Sequence, residues 1–193
     1  MNFRHIGLCV ALSALFLASA ADADRLALDP ARSKVTFTLD ATGHTVRGTL
    51  ALREGAVEFE PGGGLASGRI VIDARSAQTG SDGRDKTMHR EVLETEKFPE
   101  FVFLPQRLEG VVAREGRSDV VLAGNLEIHG EVKPVTLPAS ITVSGDEVSA
   151  SATLTIPFVA WGMHDPSVLF LRVAKEVEVN LAVEGRWIAE AAP

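Results

Sequence analysis

Apolar and polar positions alternate strictly through most of this chain. In SKVTFTLD (residues 33–40), Val35, Phe37 and Leu39 fall on one side, and Lys34, Thr36 and Thr38 on the other. EVSASATLTIPF keeps Val148, Ala150, Ala152, Leu154, Ile156 and Phe158 on one side, and KEVEVNLAVEG does the same with Val177, Val179, Leu181 and Val183. A period of two belongs to a strand with one face buried, because successive side chains point to opposite faces. Shorter runs of the same kind lie at residues 46–52, 57–59, 70–72, 101–103, 122–128 and 135–143. A slip of one residue would turn each apolar row to water, so register is strongly specified.

Turn formers separate the runs. Glu60-Pro61-Gly62-Gly63-Gly64, Glu115-Gly116-Arg117-Ser118 and Ser144-Gly145-Asp146-Glu147 are hairpin-type connectors. The triple glycine precedes neither Lys-Ser/Thr nor a helix, so it is not a phosphate loop. With no repeat, low-complexity stretch or linker, residues 24–193 read as one all-β domain of antiparallel strands. The alternation is compatible with a barrel or a sandwich. The small residues Ala150 and Ala152 in an inward row lean toward a barrel with room inside.

One segment breaks the pattern. DGRDKTMHREVLETEKFPEF (residues 82–101) is charged and helix-prone, with Met88, Val92 and Leu93 forming a narrow apolar stripe. Ser81 or Asp82 is a capping candidate, and Phe98-Pro99 bars continuation. A short helix over residues 83–96 is therefore expected. Being too short to stand alone, it must lie against the β structure, as an edge cover or as a plug over a barrel mouth.

The first residues read as an export signal. Met1 to His5 form a short basic start, IGLCVALSALFLASA an apolar core, and Ala18-Ser19-Ala20 and Ala21-Asp22-Ala23 two cleavage candidates. Roughly 20 apolar residues are needed to span a bilayer, and this core is shorter. Residues 1–23 are thus expected to be a cleaved signal, and the remainder periplasmic. Cys9 is the only cysteine and would leave with the signal, so disulfide and thiol chemistry drop out. The net charge of −7 argues against nucleic acid or an anionic membrane surface as the main partner.

Motifs for catalysis are missing. His44, His89, His129 and His164 lie in four separate segments without metal-ligand spacing. There is no Gly-x-Ser-x-Gly elbow, and many carboxylates, such as Glu176 and Glu178, sit on outward strand positions. The segment IPFVAWGMHDPSVLFLRV brings Trp161, His164, Asp165 and Arg172 close in sequence. It reads as a structural corner, with a ligand-contacting loop as the sharper alternative. No enzyme, metal or cofactor is expected.

Four segments carry a family resemblance: LDPARSKVTFTLDATGHTVRGTL, RDKTMHREVLETEKFPEFVF, LAGNLEIHGEVKPVTLPASI and AKEVEVNLAVEG. The ordered patterns D-P-x-x-S-x-V-x-F, V-R-G, R-D…F-P-x-F and G-x-L-x-I-H-G-x-x-K-P-V-x-L within them resemble the YceI-like family of exported, lipocalin-like lipid-binding domains. The resemblance implies an extended antiparallel barrel of about eight strands, a helix beside its opening and an elongated apolar pore. It also implies a non-catalytic carrier for a polyisoprenoid or fatty-acid derivative. Inward strand positions then propose Phe37, Leu39, Phe101, Phe103, Ile128, Leu154, Ile156 and Phe158 as pocket residues, with Met88 and Trp161 at the mouth. The expected partner is an isoprenoid or fatty-acid-like lipid; a homodimer and a membrane redox partner are compatible with it, and a membrane-spanning segment is not expected. The competing reading is a periplasmic stress or membrane-redox partner module whose barrel is filled. Two departures, the short TGHTVRG hairpin and the W-G-M-x-D-P-S segment, fall where mouth and pore depth would be set.

Overall fold

The computed structural model describes residues 23–168 and 172–189. Residues 1–22 of the expected export signal, with the cleavage candidate after Ala20, lie outside the described residues. Eight strands follow one another as an antiparallel meander: β1 (Asp24–Ala41), β2 (His44–Phe59), β3 (Gly64–Gln78), β4 (Glu100–Glu109), β5 (Gly116–Ile128), β6 (Glu131–Ser144), β7 (Glu147–Ile156) and β8 (Val177–Ile188). Each pairs with its successor, and β8 returns to β1, with Val35 opposite Leu181, so the sheet closes into a barrel. Closure decides between the two architectures that alternation leaves open.

Local chemistry explains the irregular points. β1 changes register between Ala27 and Val35. There Asp29 accepts the Ala31 N–H at 2.9 Å, while the Ser33 hydroxyl donates to the Asp29 carbonyl and accepts the Glu184 N–H. The Asp-Pro-x-x-Ser motif is thus a bulge that bends one long strand around the barrel. The β5–β6 turn is His129-Gly130, with φ of 53° and 77°. Positive φ at both central residues is the hairpin geometry that matches strand twist.

The helical segment is shorter than expected. α1 spans Asp82–Thr87 and continues as a π-helical turn, Met88–Val92. It stops before residue 96 because Glu94 adopts φ 44°, and the Lys97 and Phe98 N–H groups both close on its carbonyl. Ser81 occupies the N-cap without a side-chain bond. The start of the helix is held instead by Asp85, whose carboxylate accepts both the N–H and the hydroxyl of Thr79.

Two apolar clusters divide the interior. One fills an end of the barrel with Leu26, Val57, Phe59, Leu108, Val112, Val120, Val143, Val148 and Trp187. Phe59 and Trp187 meet edge to face at 5.2 Å, and Arg114 lies over the indole while pairing with buried Asp24 at 2.6 Å. The other cluster surrounds Phe103, Leu126, Ile128, Ile156, Phe158 and Met163 under the helix. Ile70 and Leu122 touch both and form the layer between them.

Candidate functional site

The second cluster encloses a cavity of about 490 Å³, a size that suits a small ligand. Twenty-seven of its thirty-one lining residues are apolar, and the other four are His44, Thr79, Arg84 and Thr87. Those four belong to the β1–β2 hairpin and to the helix with its approach, so polarity is confined to one rim. Below it the wall is hydrocarbon, which gives the space the character of a site for an apolar chain with a polar end.

Nine of the ten residues proposed from the sequence surround this cavity: Phe37, Leu39, Met88, Phe101, Phe103, Ile128, Leu154, Ile156 and Phe158. Trp161 does not line it. Its ring is 4% exposed, packed within the cluster, with the Lys133 ammonium 5.1 Å above its face. The 3₁₀ turn Phe158–Trp161 turns the indole into the core instead of toward the opening. Ala150 and Ala152 line no part of the cavity either; Ala152 sits at the last rung between β6 and β7, opposite Ala139. Sequence reasoning missed Leu50, Ile72, Val135, Leu137 and Val173, among others. Four of these five obey the same alternation as the residues it found, and Val173 lies in a loop outside any period.

Two glycines shape the wall. Phe37 stands opposite Gly48, where a Cβ would fall 2.2 Å from the ring. Phe103 covers Gly124, where a Cβ would fall 2.3 Å from the Leu104 carbonyl oxygen and 2.9 Å from the ring. Each ring lies over a backbone without a side chain, which leaves the centre of the barrel open.

The helix is pinned over the rim. Arg84 donates from Nε to the Thr79 hydroxyl at 2.7 Å and from its terminal nitrogen to the Thr79 carbonyl at 3.1 Å. His89 Nε2 lies 2.8 Å from the Ala77 carbonyl, and Nδ1 lies 3.3 Å from the Thr95 hydroxyl. A carbonyl only accepts, so Nε2 carries the proton and Nδ1 accepts from Thr95. Met88, Val92 and Leu93, the stripe read from the sequence, turn into the cavity.

Asp165, His129 and Glu94 are engaged by structural partners. Asp165 accepts the Ser167 N–H at 3.0 Å and lies 3.7 Å from Lys175; the Ser167 side chain first, then its backbone, holds the carboxyl below its ordinary value. His129 packs on Phe98 at 4.2 Å, and its Nε2 lies 3.0 Å from Glu94, an ion-pair distance without hydrogen-bond alignment. Glu94 is held below its usual range chiefly by a hydrogen bond from Lys97, with the charges of Lys97 and His129 adding. The segment after Trp161 is a corner: Ala41 bridges Val173, and Thr42 exchanges bonds with the Arg172 backbone. Pro166 and Val173 from that corner also reach the cavity.

Comparison with known proteins matches residues 26–185 to the model of the YceI-like domain. The chain is 28% identical over 151 residues to a UPF0312 protein of Enterobacter sp. (strain 638), covering 76% of each chain. Among solved structures it resembles BcnA of Burkholderia cenocepacia, with a TM-score of 0.67 and 18% identity over 81% of this chain and 98% of that one. It also resembles a polyisoprenoid binding domain from Saccharophagus degradans implicated in plant cell wall breakdown. There the TM-score is 0.63 at 17% identity, over 86% and 98% of the two chains.

Proposed function

Because this chain belongs to the YceI-like domain family, we propose that it is a periplasmic binding protein that sequesters a long-chain amphiphile, a polyisoprenoid or fatty-acid derivative, inside its barrel. The observation that carries this reading is the cavity: about 490 Å³, walled by hydrocarbon below a rim where its four polar residues gather. The tail lies among Phe37, Phe101, Phe103, Leu154 and Val179, and the polar end stays at the rim beside Arg84 and His44. The polyisoprenoid-binding neighbour supports the choice of ligand class. The signal-like start of the chain supports the location.

The protein acts by holding, without chemistry on its ligand. Burying a methylene contributes about 0.8 kcal/mol, so tail length alone can supply tight binding. The Asp165 carboxylate and the His89 and His129 rings already serve the fold, which supports a non-catalytic reading.

Native mass spectrometry of protein purified without detergent from its own host, followed by organic extraction, tests the proposal. The expected result is an adduct with the mass of a long alkyl or prenyl compound. Val179→Trp, which fills the cavity from the wall, should lose that adduct while keeping a cooperative thermal transition. A bare mass, unchanged after incubation with fatty acids and isoprenoids, would move the reading to the partner module.

A further inference from the structure

The barrel wall is not paired all the way round. β5 and β6 pair without a break from Gly116–Val143 to Ile128–Glu131, and β7 pairs with β8 along its whole length. Between β6 and β7, pairing runs only from Ser144–Glu147 to Ala139–Ala152 and then stops. Beyond that fork, residues 132–138 of β6 and 153–156 of β7 have no rungs between them. Val135, Leu137 and Leu154 line the cavity along this stretch and are only half-buried.

The sequence builds this seam. In a strand, backbone groups of alternate residues point to opposite edges. Because the β5 ladder is continuous, the prolines at 134 and 138 must direct their missing donors away from β5, toward β7. Over residues 132–138 the edge facing β7 therefore loses two of its four donors, and those of Val132 and Thr136 remain. Such an edge resists strand pairing, whether to β7 or to another chain. At its far end the seam is tied shut: the Lys133 ammonium donates to the Ala160 carbonyl and covers Trp161. The Lys-Pro-Val run singled out in the sequence thus frames a window between fork and tie.

An outer groove crosses the outside of the wall at the fork. It is lined by Asp119, Pro138, Ser140, Ser151, Thr153 and Asn180 among others, and Leu181 lines both the groove and the cavity. The helix rim, by contrast, is held by the Thr79–Asp85, Arg84–Thr79 and His89–Ala77 hydrogen bonds. Opening the rim breaks these bonds, whereas parting the seam breaks no β6–β7 rung.

We propose that the unpaired seam between β6 and β7 is the lateral port through which a slender apolar chain enters and leaves the cavity, with Val135, Leu137 and Leu154 as its lips. This rests on the reading of the cavity as a lipid site. A port of this shape selects flexible, unbranched or prenyl-like tails over rigid polycyclic ones.

The test is the stopped-flow uptake of cis-parinaric acid by the full chain in a Cys9→Ser background. Thr136→Cys and Thr155→Cys, which would face each other if the β6–β7 register continued, staple the seam on oxidation. Uptake should slow at least tenfold and recover with reductant. A second variant, Pro134→Val with Pro138→Val, restores both donors and lets β6 zip to β7. It should slow uptake similarly, with slower amide exchange at Thr136, Thr153 and Thr155. Unchanged uptake in the oxidised staple, or in a zipped proline variant with slowed exchange, overturns the port while leaving the lipid site standing. No uptake by the parent protein of parinarate or of any extracted lipid removes both.

Discussion

Gly48 and Gly124 show how single residues set the interior. Phe37 and Phe103 are large, yet they leave a central cavity because each lies over a glycine. A methyl at Gly124 would meet the Leu104 backbone oxygen at 2.3 Å, which no side-chain rotation relieves. Gly124→Ala should therefore destabilise the barrel by about 1–3 kcal/mol in urea titration, the range for overpacking. Glu94 carries a pH dependence. Its folded carboxyl titrates below the ordinary value of 4.5, chiefly through Lys97. A depressed folded pKa adds stability above the unfolded value and loses it as pH falls through the folded one. The melting temperature of the parent should thus fall more steeply than that of Glu94→Gln between about pH 5 and pH 3.

The helix takes the place over the barrel mouth that the sequence allowed it. Its amphipathic stripe was legible, but its anchors were not. His89 and Asp85 read as ordinary polar residues, and both tie the helix to the end of β3. His89→Ala would leave the Ala77 carbonyl, on a buried residue, without its donor. The expected cost is about 1–3 kcal/mol, with faster amide exchange across residues 84–93. His89→Gln, which can still donate, should recover part of that loss. The helix also ends earlier than the Phe98-Pro99 stop implied, because Glu94 reverses the chain first.

At the scale of the whole molecule, one barrel does two jobs at its two ends. Phe59, Leu108, Val112 and Trp187 make a packed core, while the other end is kept open. Trp187→Ala should cost about 3–5 kcal/mol of stability, yet leave the affinity for a bound chain unchanged, as measured by parinarate titration under folding conditions. Ile70, which touches both clusters, lines the cavity and forms its floor. In a series of saturated fatty acids, Kd should therefore fall about fourfold per added methylene until the tail reaches this floor, and then level off.

From its residues alone this chain determined most of its strands and the side of each that faces inward, because a period of two states which face is buried. The connectors at 60–64 and 144–147 join strands as read, whereas Gly116-Arg117-Ser118, read as part of a connector, begins β5. The chain determined a helix before Phe98-Pro99 with Met88 and Val92 inward. It also carried, in Pro134 and Pro138, the reason one seam stays unpaired, although nothing local says which strand those prolines would have faced. Tertiary structure decided the rest. Val148 and Leu154 obey one alternation along β7, yet one fills the core and the other lines the cavity. Alternation specifies a face and not a level along the barrel axis, and that level follows from closure of β8 on β1 and from the register shifts in the ladders from β8–β1 through β4–β5. Trp161 was misplaced for the same reason: its position depends on the turn after β7 and on Lys133 from a distant strand, a contact that no local pattern encodes.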